Sequence, residues 1–183
     1  MTPALVRSAL ILGGARSGKS AYAQRLAEAQ APERLCLATA VAGDDEMAAR
    51  IARHRRDRGH GWTTLEEPLE IGAALATHAQ PGRVVVVDCL TLWLSNLMLA
   101  GRDLDRAVSA LAGVLTDLRG PAVLVSNEVG MGVVPDNRLG REFRDWQGRT
   151  NREIGGACDA VIFVAAGLPL QLKPAATPSV QLS

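Results

Sequence analysis

Aromatic residues are scarce: Phe, Tyr and Trp make up 3% of the 183 residues. That argues against the aromatic platforms on which single-stranded nucleic acids stack. A surplus of one charge is also missing. The formal net charge is +1, so there is no general pull toward nucleic acid or a membrane surface. No apolar run reaches the roughly 18–20 residues that span a bilayer. Nothing near the N-terminus has the apolar stretch of a signal peptide. Cysteines number only three, Cys36, Cys89 and Cys158, scattered and without metal-ligand spacing. Each adjoins an apolar run, which reads as a buried reduced thiol and fits a reducing cytoplasm. Repeats and a second domain are not evident. What is present is a globular composition, 48% hydrophobic and 21% charged, long enough for one domain with a proper core.

Continuous apolar runs recur at 9–12, 35–40, 84–87, 122–126 and 160–165. Unbroken rather than alternating hydrophobicity predicts strands buried on both faces. Helix-forming segments lie between them, at 19–30, 45–58, 104–119 and 139–154, with shorter ones at 69–79 and 91–99. This alternation predicts an α/β fold with a mostly parallel sheet flanked by helices. Gly167-Leu168-Pro169 reads as a turn and 170–172 as an antiparallel edge strand. One domain is expected over 1–173, followed by a loose Pro-, Ala-, Ser- and Thr-rich tail at 174–183.

The most informative stretch is Gly13-Gly14-Ala15-Arg16-Ser17-Gly18-Lys19-Ser20. It has the G-x-x-x-x-G-K-S pattern of a phosphate-binding loop, and it stands between a predicted strand and a predicted helix. Helix N-terminal N–H groups carry partial positive charge toward a phosphate. Gly13, Gly14 and Gly18 permit close approach and positive φ. Lys19 can reach the β and γ phosphates, and Ser20 can offer its hydroxyl to Mg²⁺. A plain glycine-rich turn is the alternative, and the match of all four fixed positions in this setting weighs against it.

Asp88 ends the run at 84–87. An acid at a strand's carboxyl end can hold Mg²⁺ against phosphates; the alternative is a turn or cap role. Ser126-Asn127-Glu128 ends the next run in the same way. Asn127 and Glu128 either face the γ phosphate or activate a hydroxyl, or are ordinary turn residues. Gly130-Met131-Gly132-Val133-Val134-Pro135 follows as a glycine-containing loop, which either folds over a substrate or merely connects, and Asp136 or Asn137 is expected to cap the helix after it. In that helix Leu139, Phe143, Trp146 and Ile154 share one face, expected in the core, and Arg138, Arg141, Asp145, Arg149 and Arg152 share another.

In the segment 45–58, Met47, Ile51, His54 and Arg58 fall on one helical face, with Arg50, Arg53, Arg55 and Arg56 crowding around the histidine. One reading is a helix with cations near its C-terminus and a half-buried His. The other starts from the self-repulsion of so many arginines, which visiting phosphates would relieve. A neutral imidazole among them can attack phosphorus. His60 and His78 are weaker candidates, in a glycine-rich turn and at a helix end.

Four blocks together resemble one family. They are the phosphate loop, Asp45-Glu46-Met47-Ala48-Ala49-Arg50-Ile51 with His54, the stretch from Asn127 through Gly130-Met131-Gly132 to Arg138, and Arg144-Asp145 with Gly148-Arg149 and Asn151. The chain is similar, from about Leu10 to Lys173, to bifunctional adenosylcobinamide kinases / adenosylcobinamide-phosphate guanylyltransferases of cobalamin assembly. The resemblance implies a RecA-like P-loop fold and two reactions. ATP or GTP would phosphorylate adenosylcobinamide, and GMP from GTP would then pass to adenosylcobinamide phosphate through a guanylylated histidine, here His54. It carries nucleotide contacts onto Gly13, Gly14, Ala15, Arg16, Ser17, Gly18, Lys19 and Ser20. It does the same for Ala38, Thr39, Ala40, Arg55, Arg56, Asp57, Arg58, Glu66 and Asp88. It implies a homo-oligomer (some members are trimers); the loop and strand-end readings above put Mg²⁺ at Ser20 and Asp88, and the composition is read as a cytoplasmic location with no nucleic-acid partner. Two other readings fit the phosphate loop alone: a P-loop kinase for a small metabolite with a structural His54, and a nucleotide-dependent switch that transfers nothing.

Overall fold

The computed structural model describes residues 6–41 and 59–174. The expected helix at 45–58, with His54, Arg55, Arg56, Asp57 and Arg58, and the tail past Pro174 lie outside the described residues.

The chain builds β1 (Ser8–Gly13), α1 (Lys19–Gln30), β2 (Glu33–Ala38), β3 (Trp62–Glu66) and α2 (Ile71–His78). Then come β4 (Arg83–Asp88), α3 (Leu90–Leu99), α4 (Leu104–Thr116), β5 (Ala122–Asn127), α5 (Arg138–Ala157), β6 (Ala160–Ala165) and β7 (Leu168–Lys173). The strands form one 7-stranded sheet in the order β3-β2-β4-β5-β1-β6-β7. Every neighbouring pair is parallel except β6 and β7.

The unbroken apolar runs are explained by burial on both faces. In β1, Leu10 and Leu12 point into a core shared with Ile71 and Leu75 of α2, Leu90 and Leu94 of α3, Leu111 of α4 and Ile154 of α5. Ala9 and Ile11 point the other way, against Ala23 and Ala27 of α1. β4 divides likewise, with Val85 and Val87 on the first side and Val84 and Val86 on the second. The alanines of α1 let its backbone approach the sheet closely.

Several expectations need correction. β3 was not read from the sequence, because it is an edge strand: Thr63 to Glu66 are exposed, and no apolar run marks them. β2 ends at Ala38, so Thr39 and Ala40 lie beyond it. The turn before β7 is Ala166-Gly167, not Gly167-Leu168-Pro169. Both residues take positive φ, 51° and 79°, as a two-residue hairpin requires, and Leu168 already pairs with Ala165. Pro169 is tolerated because β7 is the outer strand. In α5 Leu139 is 62% exposed rather than core, Phe143 and Trp146 are only partly buried, and the buried face is largely polar: Gln147, Thr150 and Asn151 beside Ile154. All three cysteines are buried thiols, as expected.

Candidate active site

The phosphate loop runs from the end of β1 into α1. Ser17 N–H donates to Gly14 O at 3.3 Å, and Tyr22 N–H to Gly18 O at 2.9 Å. Gly18 takes φ 94°, the left-handed region that glycine enters without steric cost. Gly14 and Gly13 do not share that φ. Arg16 does, at 57°, which is uncommon for a residue with a side chain. Gly13 is required for another reason: a Cβ there would stand 2.5 Å from both Ser17 Oγ and Val164 O. Lys19 Nζ donates to Gly14 O at 3.1 Å, which holds the ammonium over the loop.

The start of α1, like those of α2 and α3, has no side-chain cap, unlike those of α4 and α5. Asp103 accepts from Arg106 N–H at 3.0 Å and Asn137 from Gly140 N–H at 2.7 Å, side-chain caps that satisfy first-turn donors. Gly18 provides no side-chain cap to α1. Helix N-terminal N–H groups without such a cap suit an anion. A support the sequence did not reveal comes from the β6–β7 turn. Gly167 N–H donates to Ser17 O at 2.8 Å, and a Cβ on Gly18 would meet Gly167 Cα at 3.1 Å. Gly167, read from the sequence as part of a turn, was the available signal, but nothing local ties it to residues 17–18.

The other candidates stand along the carboxyl ends of the strands, where ligands of open α/β sheets bind. Asp88 ends β4, two strands from β1, and is half-buried. Asn127 ends β5, in register with Gly13. Glu128 N–H donates to Gly13 O at 3.1 Å, placing it beside the loop. Glu66 ends β3, four strand spacings from β1, or roughly 19 Å. It therefore cannot share a phosphate with Lys19. Thr39 is fully buried: its hydroxyl donates to Cys89 O and accepts from Cys89 N–H, both at 2.8 Å. Its side chain ties the ends of β2 and β4 together from behind. Burial, and then the Asp88 charge, raise the Cys89 pKa, which keeps it a neutral thiol. His60 is exposed, and its carbonyl accepts from Arg34 at 3.2 Å; His78 ends α2.

The end of β5 is anchored by a buried polar cluster. Ser126 Oγ donates to Asn151 Oδ1 at 2.7 Å, and Gln147 Nε2 donates to both at 2.9 and 3.0 Å. Asn151 Nδ2 reaches Asn127 O at 3.0 Å, and Asn127 N–H donates to Thr91 Oγ1 at 2.9 Å. This accounts for Gln147 and Asn151 on the inward face of α5. An open groove of about 670 Å³ between α2 and α4 lies at the opposite, amino ends of β4 and β5, remote from all these groups.

Residues 9–172 match the model of the cobinamide kinase / cobinamide phosphate guanyltransferase family. The chain belongs to that family. It is 50% identical over 166 residues to a bifunctional adenosylcobalamin biosynthesis protein, CobP, of Pseudomonas aeruginosa, covering 90% of this chain and 96% of the relative. It is 36% identical over 179 residues to the CobU protein of Salmonella typhimurium, covering 90% and 98%. Among solved structures, the type III secretion ATPase EscN of enteropathogenic E. coli superposes with TM-score 0.55 at 11% identity, over 88% of this chain and 43% of that one. The flagellar accessory protein FlaH of Methanocaldococcus jannaschii gives 0.52 at 13%, over 91% and 78%. These two likenesses speak to fold alone. As a member of the cobinamide kinase / guanyltransferase family the chain is a bifunctional enzyme of cobalamin biosynthesis, kinase and guanylyltransferase, which removes the single-activity kinase and the non-catalytic switch.

Proposed function

We propose that both reactions draw on one row of groups along the carboxyl ends of the strands, with the nucleotide's phosphates at the start of α1. The observation that carries this is the loop from Gly13 to Ser20, which leads into a helix whose first turn has no side-chain cap. Ala15, Arg16, Ser17 and Ser20 complete the cradle, and Lys19 lies over it to meet the β and γ phosphates. The donor set fits Mg²⁺: Ser20 offers a hydroxyl and Asp88 a carboxylate, both hard oxygens. Among the described residues no group of three or more His, Cys, Asp or Glu could hold a metal, so such an ion would rely on phosphate and water for its other ligands. When bound, it would neutralise phosphate charge that builds up during transfer.

The nucleoside end would extend toward Ala38, Ala40 and Glu66, with Thr39 acting through its tie to Cys89. Arg55, Arg56, Asp57 and Arg58 would contact the nucleotide beside His54. In the kinase reaction the aminopropanol hydroxyl of adenosylcobinamide takes the γ phosphoryl of ATP or GTP. In the transferase reaction His54 attacks the α phosphorus of GTP and pyrophosphate leaves. The phosphate of adenosylcobinamide phosphate then displaces the histidine, giving adenosylcobinamide-GDP. Residues 1–173 form the catalytic domain in this reading, with 174–183 as a tail. The enzyme is a cytoplasmic homo-oligomer, with a trimer as one form and no nucleic-acid partner. Among the described residues no helix is long and apolar enough to cross a membrane.

The test is incubation with GTP labelled at the α phosphate, followed by denaturation. The expected result is protein-bound label, labile to acid and stable to alkali, that is absent from His54→Ala. That variant keeps kinase turnover. Because the attacking imidazole must be unprotonated, labelling falls as pH drops below about 6.5. No label on active enzyme, or full label on His54→Ala, removes the histidine route.

A further inference from the structure

The kinase step needs a base, because an alcohol must lose its proton as it attacks phosphorus. The geometry points to Glu128 as that base, an inference that rests on the phosphate-loop reading above.

Three observations carry it. The first is position. Asn127 is level with Gly13, and the next residue donates its N–H to Gly13 O at 3.1 Å. Glu128 therefore continues the ladder one step past the sheet, against the loop that would seat the γ phosphate. Neighbouring strands are about 4.8 Å apart. Asp88 lies one strand further out and Glu66 three further. Glu67 follows Glu66 at the end of β3 and is as far away. The second is orientation. Glu128 Oε1 accepts from Gly130 N–H at 2.6 Å, which fixes the carboxylate and leaves its other oxygen to take a proton. A Cβ on Gly130 would stand 2.9 Å from Oε1, so glycine is what lets the carboxylate fold back there. The third is rigidity. The polar cluster of Ser126, Gln147 and Asn151 holds the end of β5, from which Glu128 projects.

In the step, the hydroxyl oxygen bonds to the γ phosphorus as the bond to the β,γ-bridging oxygen breaks. The bonding electron pair leaves with the nucleoside diphosphate. The hydroxyl proton passes to the second oxygen of Glu128 and then to water. The guanylyl step has no such need. Its acceptor is a phosphate monoester, whose second pKa near 6 leaves the attacking oxygen largely unprotonated at pH 7.

Glu128→Gln should therefore separate the two activities in the opposite sense to His54→Ala. The amide oxygen can still accept from Gly130, so the side chain keeps its place. Kinase kcat on adenosylcobinamide should fall by about 10²–10³-fold, with little change in nucleotide KM. Guanylyl transfer, assayed from adenosylcobinamide phosphate and GTP, should stay within about threefold of wild type. Glu128→Asp keeps the carboxyl one methylene shorter and should recover part of the loss. Kinase kcat of Glu128→Gln within about threefold of wild type, or parallel loss of both activities, overturns the assignment. Lys19→Ala in the same assays separates the two levels of inference. If it retains kinase turnover, the phosphate-loop reading fails and takes Glu128 with it. If it is inactive beside an unimpaired Glu128→Gln, only Glu128 is overturned.

Discussion

The two ends of the sheet are built differently. At the amino ends of the strands the chain is tied down. Asp159 accepts from Arg7 N–H at 2.8 Å, Ser8 N–H at 3.0 Å and Ser8 Oγ at 3.2 Å, and its own N–H donates to Ser8 Oγ at 3.0 Å. Lys173 Nζ donates to the carbonyls of Gly155, Gly156 and Cys158, which satisfies the C-terminal end of α5. At the carboxyl ends stand the phosphate loop and the carboxylates of Glu66, exposed, and of Asp88 and Glu128, half-buried. The segment after Glu128 exposes Met131 (80%) and Val133 (95%). Polar groups at the first end are spent on stability. Those at the second serve the site, and among the described residues their supports, Thr39, Ser126, Gln147 and Asn151, are buried.

This contrast is testable, because substitutions at the two ends should change different quantities. The largest effect is expected at Lys19. Lys19→Ala should reduce turnover by about 10³-fold and leave Tm nearly unchanged; a stability loss without an activity loss would invert the comparison. Gly13→Ala comes next and touches both quantities. The added Cβ must displace Ser17 or Val164, so nucleotide binding weakens and the fold loses about 1–3 kcal/mol. Isothermal titration and thermal melts would read the two parts separately. An unaltered nucleotide Kd would mean that the loop does not depend on that close approach.

The smallest effect is at the amino end. Asp159→Ala should leave kcat unchanged and lower Tm by about 2–4 °C, for hydrogen bonds worth about 1 kcal/mol. Burial works against ionisation of Asp159, but the Arg7 and Ser8 donors and the Lys173 charge outweigh it, and its pKa is lowered. The sign follows from linkage: the ionised form is favoured by folding, so its contribution is present above the unfolded value near 3.9 and is lost as pH falls below it. The Tm gap between wild type and Asp159→Ala should therefore close below about pH 4. A gap that stays constant there would exclude a charge-dependent role.

Much of this was legible in the chain. The strand-loop-helix of residues 9–30, the buried runs and the hairpin at the C-terminal side all appear close to where the patterns put them. The misses share a cause. β3 is short, exposed and at an edge, so it has no periodic or apolar mark. Leu139 reads as core by helical spacing, yet the first turns of α5 project into solvent. The turn at Ala166-Gly167 was placed one residue late. The roles of Thr39 and of Gly167 depend on partners 50 and 150 positions away, Cys89 and Ser17.

By itself the sequence determined the phosphate loop, the α/β alternation and the set of side chains available for chemistry. Those are properties of neighbours along the chain: a glycine-rich turn and a run of valines act on local dihedrals and local burial. Only the tertiary structure decided that β5 lies between β4 and β1, that Glu128 stands beside Gly13, and that Thr39 turns inward to Cys89. Parallel strands buried on both faces carry nearly the same pattern. Their order is therefore set by the packing of whole elements, and with it the choice of which carboxylate meets the phosphates.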